Sequence, residues 1–167
     1  MCLEIARSSR TEDARPIRIV VIECEPVLLQ RLAVLREEIS DFELVGAATT
    51  PVDGIAIASA LRPDVVLVDN LLPDCDGIQL CDQLQSQLPA ASIIILSVDT
   101  SDEVILRAVE SGACGLITKT APDHAVVDAI LRAGEGEFLL PRSVTLRLFR
   151  KERDLRRAEV NPSRSDR

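Results

Sequence analysis

Two carboxylates stand directly after short apolar runs of the chain. Glu23 follows "IRIVVI", with Cys24 and Glu25 behind it, and Asp69 closes "DVVLVD". Carboxylates hold Mg²⁺, which prefers oxygen ligands, and an ionised carboxylate can also accept a phosphoryl group. A neutral thiol is a poor ligand for so hard an ion, so the place of Cys24 between two acids needs an explanation.

A hydroxyl and an amine stand at the ends of two further apolar runs. Ser97 closes "SIIILS", and Lys119 follows "CGLIT". A serine can hydrogen-bond a phosphate oxygen, and a lysine can pair with the charge of a phosphate. Each has an ordinary interpretation, since Ser97 could cap the next loop and Lys119 could be a solvated lysine at a strand end. Together with Asp69, they predict a phosphate-binding site.

Helical patterns separate these aliphatic runs, so the positions of the elements can be predicted. Strands are expected at 17–22, 43–48, 64–69, 92–97 and 114–118. Helices between them are expected at 26–39, 53–61, 77–87, 102–111 and 122–133. This alternation predicts right-handed crossovers and a parallel sheet with helices on both faces. The carboxyl ends of such strands form one ligand-binding edge, so we expect Glu23, Asp69 and Lys119 to lie close together.

The charge of the chain changes sign towards its C-terminus. The whole chain of 167 residues has a formal net charge of −8. Residues 1–141 carry 10 basic and 23 acidic residues, a net of −13, whereas residues 142–167 carry 9 and 4, a net of +5. We therefore predict a disordered N-terminal arm at 1–16, a folded domain at 17–141, and a basic helix and tail at 142–167. The acidic balance argues against nucleic-acid binding by the chain as a whole.

Neither membrane insertion nor secretion is expected from this sequence. No apolar run reaches the length that spans a bilayer, and the first ten residues lack the apolar core of a signal peptide. The five cysteines are an odd number and form no C-x-x-C pair, which is typical of reduced thiols. We therefore expect a cytoplasmic protein.

The residues around the candidate site carry a resemblance to a known family. Asp69 opens "DNLLPDCDG", Ser97 lies in "IIILSVDT" and Lys119 lies in "SGACGLITKT". In this order and spacing they resemble the receiver domain of bacterial two-component response regulators, from about residue 17 to residue 141. The stretch "AILRAGEGEFLLP" (129–141) further resembles the LuxR-tailed NarL/FixJ subfamily, in which a basic linker leads to a DNA-binding helix-turn-helix. The resemblance implies a flavodoxin-like (βα)5 fold with a parallel sheet in the order 2-1-3-4-5, plus a C-terminal helix.

The same resemblance implies a role for each site residue. Asp69 would be the phosphoacceptor, and Ser97 and Lys119 would contact the phosphoryl group. Mg²⁺ would be held by Glu23, Asp69 and the backbone carbonyl of Leu71. The domain would be a signalling module and not an enzyme, with a sensor histidine kinase as its partner. It would control transcription through an effector domain outside this chain, and only that effector would contact DNA.

Three positions depart from the family pattern. Cys24 stands where the family has the second acid after strand one, and Glu23 is longer than the usual aspartate. Leu116 stands where the family has an aromatic switch residue. With one carboxylate fewer, we expect Mg²⁺ to bind weakly or not at all and Asp69 to be phosphorylated slowly. The alternative is a pseudo-receiver that acts in dimerisation or partner binding without phosphorylation, and a redox role for Cys24 also stays open.

Other protein classes share parts of this pattern. A flavodoxin-type protein has the same fold, but "ECEP" would repel the phosphate of its cofactor. A metal-dependent phosphotransfer enzyme or nuclease could use Glu23 with Asp74 and Asp76, but the sequence offers neither a general base nor a basic substrate surface.

Two questions of assembly stay open in the sequence. The family resemblance favours a homodimer, through helices one and five or through the face of helix four, strand five and helix five. The segment 142–160 could be a linker helix towards an effector, a partner-binding helix or a solvated helix.

Overall fold

Strands and helices alternate along the computed structural model, which describes residues 15–73 and 75–160. The strands are β1 (Ile17–Ile22), β2 (Phe42–Ala48), β3 (Val65–Asp69), β4 (Leu71–Leu72), β5 (Cys75–Asp76), β6 (Ser92–Ser97) and β7 (Gly115–Thr118). The helices are α1 (Pro26–Glu38), α2 (Pro51–Leu61), α3 (Gly77–Gln87), α4 (Asp102–Glu110), α5 (Asp123–Gly134) and α6 (Arg142–Val160). Each predicted element is present, with boundaries that agree to within two residues.

Five strands form one parallel sheet in the order β2-β1-β3-β6-β7. The short strands β4 and β5 form a separate antiparallel pair, in which Leu71 lies opposite Asp76 and Leu72 lies opposite Cys75. When only the strands of the main sheet are counted, the order is the predicted 2-1-3-4-5. The two-residue strands were not predicted, because so short a pairing leaves no periodic pattern in the sequence.

The core lies on both faces of the sheet, as the near-continuous aliphatic strands predicted. On one face Ile19, Leu67 and Ile94 pack against α1 and α5, and all three are completely buried. On the other face, alternate residues of the same strands, such as Val20 and Val66, pack against α2, α3 and α4. Full burial of such a side chain contributes about 1.5–3 kcal/mol, so the carboxyl ends of the central strands are firmly held.

Helices α1 to α5 each begin near this carboxyl edge, and local chemistry explains the starts of α1 and α3. Pro26 opens α1, where its missing N–H costs no helical hydrogen bond. Asp76 caps α3, because its Oδ1 accepts a hydrogen bond of 2.9 Å from the N–H of Ile78. Gly77 follows, and a Cβ there would lie 2.0 Å from the carbonyl oxygen of Asp69. Only glycine therefore lets α3 start so close to the end of β3.

The two ends of the described chain both contact the sheet domain. Arg15 donates two hydrogen bonds, of 2.8 and 2.7 Å, to the carboxylate of Asp64. The rest of the predicted N-terminal arm, residues 1–14, lies outside the described residues. At the other end, α6 lies along α4, and Val144 of α6 is completely buried. Among the described helices, none is both long and apolar enough to cross a membrane.

Candidate functional site

Asp69 is a buried carboxylate at the carboxyl end of the central strand β3. Its side chain is 1% exposed. The N–H of Leu71 donates a hydrogen bond of 2.9 Å to Oδ1, and the Nζ of Lys119 lies 2.7 Å from Oδ2. Because both oxygens are held by donors from different segments, the carboxylate has a fixed orientation at the sheet edge.

Glu23 is a second buried carboxylate, at the end of the neighbouring strand β1. Its Oε1 accepts a hydrogen bond of 3.0 Å from the N–H of Glu25 and lies 3.3 Å from the Nζ of Lys119. Lys119, just beyond β7, therefore bridges Glu23 and Asp69 with one ammonium group. The structure therefore brings Glu23, Asp69 and Lys119 together, as predicted.

The two carboxyl groups have pKa values that move in opposite directions. Burial raises the pKa of Glu23 to about 7, and the hydrogen bond with Asp69 adds to the effect. Burial also disfavours the charge on Asp69, but hydrogen bonds with Glu23, Lys119 and the N–H of Leu71 outweigh it and hold the pKa of Asp69 below its usual value. At neutral pH Asp69 is therefore ionised, whereas Glu23 is only partly ionised. Asp69 thus has the charge state that a nucleophile needs.

The thiol of Cys24 points towards Asp69 and towards the backbone carbonyl of Leu71. Its Sγ lies 3.5 Å from Oδ2 of Asp69 and 3.6 Å from the carbonyl oxygen of Leu71. Burial raises the pKa of the thiol, and the hydrogen bond to Asp69 raises it further. The group facing Asp69 and the Leu71 carbonyl is therefore a neutral S–H donor and not a third carboxylate.

Ser97 lies at the end of β6, on the other side of β3 from Glu23. Its carbonyl oxygen accepts a hydrogen bond of 3.0 Å from the N–H of Lys119. Its hydroxyl oxygen accepts one of 3.1 Å from the N–H of Asp99, so it also caps the following loop. The hydroxyl therefore holds the start of the loop that joins β6 to α4.

Other residues named from the sequence lie around this centre. Leu116 is half-buried in β7 and packs against the cluster that contains α3 and α4. Glu25 is exposed and reaches the site only through its N–H. Both carboxylate oxygens of Asp76 have partners outside the site, since Oδ1 caps α3 and Oδ2 lies 2.9 Å from a guanidinium nitrogen of Arg107. Asp74, the other acid proposed for a metal-dependent enzyme, lies outside the described residues.

Two contributors to the site were not predicted from the sequence. The Asp76–Arg107 ion pair joins α3 to α4, but a single arginine 31 positions away carries no signal of that contact. The close approach of Gly77 to Asp69 has a weak signal, since glycine after an acid marks a turn. The hydrogen bond from the N–H of Asp99 to the Ser97 hydroxyl agrees with the predicted alternative in which Ser97 caps the next loop, and it leaves the O–H of Ser97 free to donate.

The donor set at this edge suits Mg²⁺ only in part. Glu23, Cys24 and Asp69 each offer one atom, and the three atoms lie within 4.8 Å of one another. The carboxylates and the Leu71 carbonyl are oxygen donors of the kind that Mg²⁺ prefers. The thiol is a soft, neutral donor, and it faces two of those oxygens. The residues present therefore fit Mg²⁺ poorly.

Residues 19–131 match the family described as the response regulator receiver domain. The response regulator protein VraR of Staphylococcus aureus is 31% identical over 121 residues, which cover 72% of this chain and 57% of VraR. The chain thus matches little more than half the length of that relative.

Solved structures show the same fold. A LuxR-family two-component response regulator from Aurantimonas sp. SI85-9A1 is 24% identical with a TM-score of 0.70, over 82% of this chain and 98% of that one. The signal receiver domain of NarL from Mycobacterium tuberculosis is 22% identical with a TM-score of 0.69, over 74% of this chain and all of that one.

Proposed function

This chain belongs to the response regulator receiver domain family, and we propose that it receives its signal as a phosphoryl group on Asp69. The observation that supports the proposal best is the buried, ionised Asp69 carboxylate, held 2.7 Å from Lys119 at the sheet edge. Response regulators are signalling proteins, so we assign the chain a switching role and no turnover of a substrate. We also propose that it is of the NarL/FixJ type, as its sequence predicted, and the fold that it shares with a LuxR-family response regulator supports this.

In the proposed reaction, a carboxylate oxygen of Asp69 attacks the phosphorus of a phosphodonor. An acyl-phosphate bond forms, and the bond from phosphorus to the leaving group breaks with its electron pair on that group. Lys119 then pairs with a phosphoryl oxygen, in place of part of its present contact with Asp69. The Ser97 hydroxyl donates a hydrogen bond to another phosphoryl oxygen.

Cys24 makes this reaction slow in our proposal. A divalent cation at the site would screen the repulsion between an anionic donor and anionic Asp69. Because the donor set fits Mg²⁺ poorly, we propose that the ion binds weakly or not at all, and we assign no step to it. The chain's own cation, Lys119, is already shared between Asp69 and Glu23.

The proposed partners follow from the family. A sensor histidine kinase would supply the phosphoryl group, a second copy of the chain would form a dimer, and an effector domain would carry the signal to DNA in the cytoplasm. The alternative, a module that works without phosphorylation, depends only on the substitution at Cys24. The paired Asp69 and Lys119 favour phosphoryl acceptance, because a module without that chemistry has no need of a buried charge pair.

The proposal is tested with a small phosphodonor such as acetyl phosphate and Mg²⁺. Intact mass should show the gain of one phosphoryl group, and Asp69→Asn should abolish it. Asp53→Asn, which removes an exposed acid of α2, is the matched control and should label like the unaltered chain. Equal labelling of Asp69→Asn, or no labelling even of Cys24→Asp at saturating Mg²⁺, would show that Asp69 is not the acceptor.

A further inference from the structure

Lys119 reaches the buried carboxylates from the edge of the main sheet. Neighbouring strands lie about 4.8 Å apart, so β7, which Lys119 follows, runs about 10 Å from β3, which ends in Asp69. The side chain therefore extends across the end of β6 to place its Nζ 2.7 Å from Oδ2 of Asp69. Because a lysine side chain is long and flexible, the position of its ammonium group depends on where the backbone holds its Cα.

The backbone at Lys119 is held by β6 on one side and then turns towards α5. The N–H of Lys119 donates a hydrogen bond of 3.0 Å to the carbonyl oxygen of Ser97, at the end of the pairing between β6 and β7. The N–H of Ala121 donates one of 2.9 Å to the carbonyl oxygen of Thr118, which closes a turn of residues 118–121. Since β7 is an edge strand of the main sheet, strand pairing supports this turn from the β6 side alone.

Arg31 of α1 holds the far end of the turn. Its Nη2 donates a hydrogen bond to the carbonyl oxygen of Ala121, and its Nε donates one to Oδ1 of Asp123, the first residue of α5. Ala121 is buried in the apolar cluster to which α1 and α5 both contribute. The start of α5 has no side-chain cap, so the two bonds from Arg31 fix the place where the turn joins α5.

Both contacts depend on the shape of a guanidinium group. Its donors form a planar fork, so one side chain can bind a carbonyl oxygen and a carboxylate together, whereas an ammonium group is a single point of charge. The side chain of Arg31 is 26% exposed. Water and salt therefore screen its contacts less than those of a fully exposed pair, and the turn that carries Lys119 is held at both ends.

We propose that Arg31 is a positioning residue for the reaction at Asp69, because its bonds to Ala121 and Asp123 keep the Nζ of Lys119 within reach of the phosphoryl group. This inference rests on the proposed function. Arg31 acts through the turn of residues 118–121 and not by contact with the phosphoryl group. A displacement of about 1 Å can slow a reaction by up to about 10²-fold, so a turn that is free to move leaves Lys119 less able to stabilise the transferred group.

The hold on the turn is tested by hydrogen–deuterium exchange of the full chain, read at the amides of Lys119 and Ala121. Arg31→Ala should speed this exchange about fivefold, the factor that loss of one intramolecular hydrogen bond supplies. Arg31→Lys should fall between, because an ammonium group can keep one of the two contacts. Arg36→Ala is the matched control, since Arg36 is exposed on the same helix and makes no ion pair among the described residues. Exchange in Arg31→Ala equal to that in Arg36→Ala would overturn the proposal.

The role in the reaction is tested with acetyl phosphate and Mg²⁺ in a cycle of Arg31→Ala, Lys119→Met and the double variant. Initial rates are read by intact mass, under conditions in which each chain is folded. Arg31→Ala should slow labelling about tenfold in the chain that keeps Lys119, and it should add no slowing to Lys119→Met, which has no ammonium group to position. A slowing by the same factor in both backgrounds would show that Arg31 does not act through Lys119.

Urea unfolding of the same four chains separates a failure of this proposal from a failure of the proposed function. Among the described residues, no hydrogen bond joins Arg31 to Lys119, so their effects on stability should add unless the turn couples them. If Asp69 takes no phosphoryl group in any chain, the proposed function fails and unfolding decides the positioning. Lys119→Met should then lower the urea midpoint less in the Arg31→Ala background, and equal shifts would overturn the positioning. If Asp69 is labelled but the rates show no coupling, the positioning is wrong and the proposed function stands.

Discussion

At the scale of single residues, the chemistry depends on two buried carboxylates, one ammonium group and one neutral thiol. Lys119 neutralises the charge of Asp69, and the proton retained near Glu23 spares the site a second full negative charge. Where a second carboxylate would add to this charge, Cys24 adds none. The site is thus close to electrical balance without any further cation.

Replacing Lys119 should destabilise the protein, because Lys119 balances the negative charge of the site. Lys119→Met leaves Asp69 and Glu23 buried without a cation, so we expect the free energy of unfolding to fall by about 3 kcal/mol, as for other broken buried pairs. The double variant Lys119→Met with Asp69→Asn should recover most of the loss, since no unpaired charge then remains at Asp69. Urea unfolding of the four proteins in this cycle measures the coupling. A double variant as unstable as the single one would show that Lys119 acts by packing alone.

Residue types at strand ends were enough to predict which side chains meet, but not how each is bonded. Glu23, Asp69 and Lys119 converge because the carboxyl ends of parallel strands share one edge. The bond from Ser97 to Asp99 and the outward direction of Glu25 depend on loop conformations that have no periodic signal.

At the scale of elements, the cap of α3 also connects α3 to α4. Asp76→Ala removes the cap and the ion pair with Arg107, so we expect a loss of about 1 kcal/mol of stability. Asp76→Asn keeps an oxygen for the Ile78 N–H and should cost only a few tenths of that, because the ion pair is partly exposed. Thermal unfolding of both variants distinguishes the two contributions. Equal losses would assign the effect to the ion pair.

The regular elements were predictable because their patterns are long and local. The central strands are runs of Val, Ile and Leu, and amphipathic periods mark α3, α4 and α5. The sequence does not decide among the three roles of segment 142–160, since the contact of α6 with α4 depends on charges that lie about 40 residues earlier in the chain. Such pairings are long-range and exposed, and the sequence alone does not rank them.

At the scale of the whole molecule, Asp64 ties the N-terminal end of β1 to the sheet. It accepts hydrogen bonds from Arg15 and from the N–H of Arg18 at 2.8 Å. Partial burial favours its neutral form, but these bonds outweigh burial and lower its pKa. The folded state thus binds its proton less readily than the unfolded chain, so the stabilisation is present above the unfolded pKa of about 3.9 and is lost as pH falls through the folded value.

Asp64→Asn should therefore lower stability by about 1 kcal/mol at pH 7, and this loss should shrink as the pH falls from the unfolded pKa of about 3.9 through the lower folded pKa of Asp64. The measurement is urea unfolding across this pH range. Asp82→Asn is the control, since Asp82 is exposed and its carboxylate contacts no cation among the described residues. If Asp64→Asn lowers the free energy of unfolding by the same amount at every pH, the effect comes from the shape of the side chain and not from its charge.

Assembly of the molecule is the second property at this scale. Because α6 lies along α4, we predict that the homodimer forms through α1, where Val27 and Val34 are 67% and 59% exposed. Val34→Asp should weaken self-association about tenfold or more, as measured by sedimentation equilibrium. Val52→Asp on α2, where the valine is 77% exposed, is the control and should leave association unchanged. The reverse result would place the interface on α2.

The effect of the Cys24 thiol on metal binding and phosphorylation can be measured directly. Initial rates of phosphorylation by acetyl phosphate, read by intact mass, are compared over a Mg²⁺ titration for the unaltered chain, Cys24→Asp and the neutral control Cys24→Ser. Cys24→Asp adds a carboxylate beside Asp69 and the Leu71 carbonyl, so it should reach half its maximal rate at roughly tenfold less Mg²⁺ and react faster at each concentration below saturation. Cys24→Ser should remain as slow as the unaltered chain. If the unaltered chain is phosphorylated as fast as Cys24→Asp at every Mg²⁺ concentration, the thiol does not limit the site and the account of Cys24 is wrong.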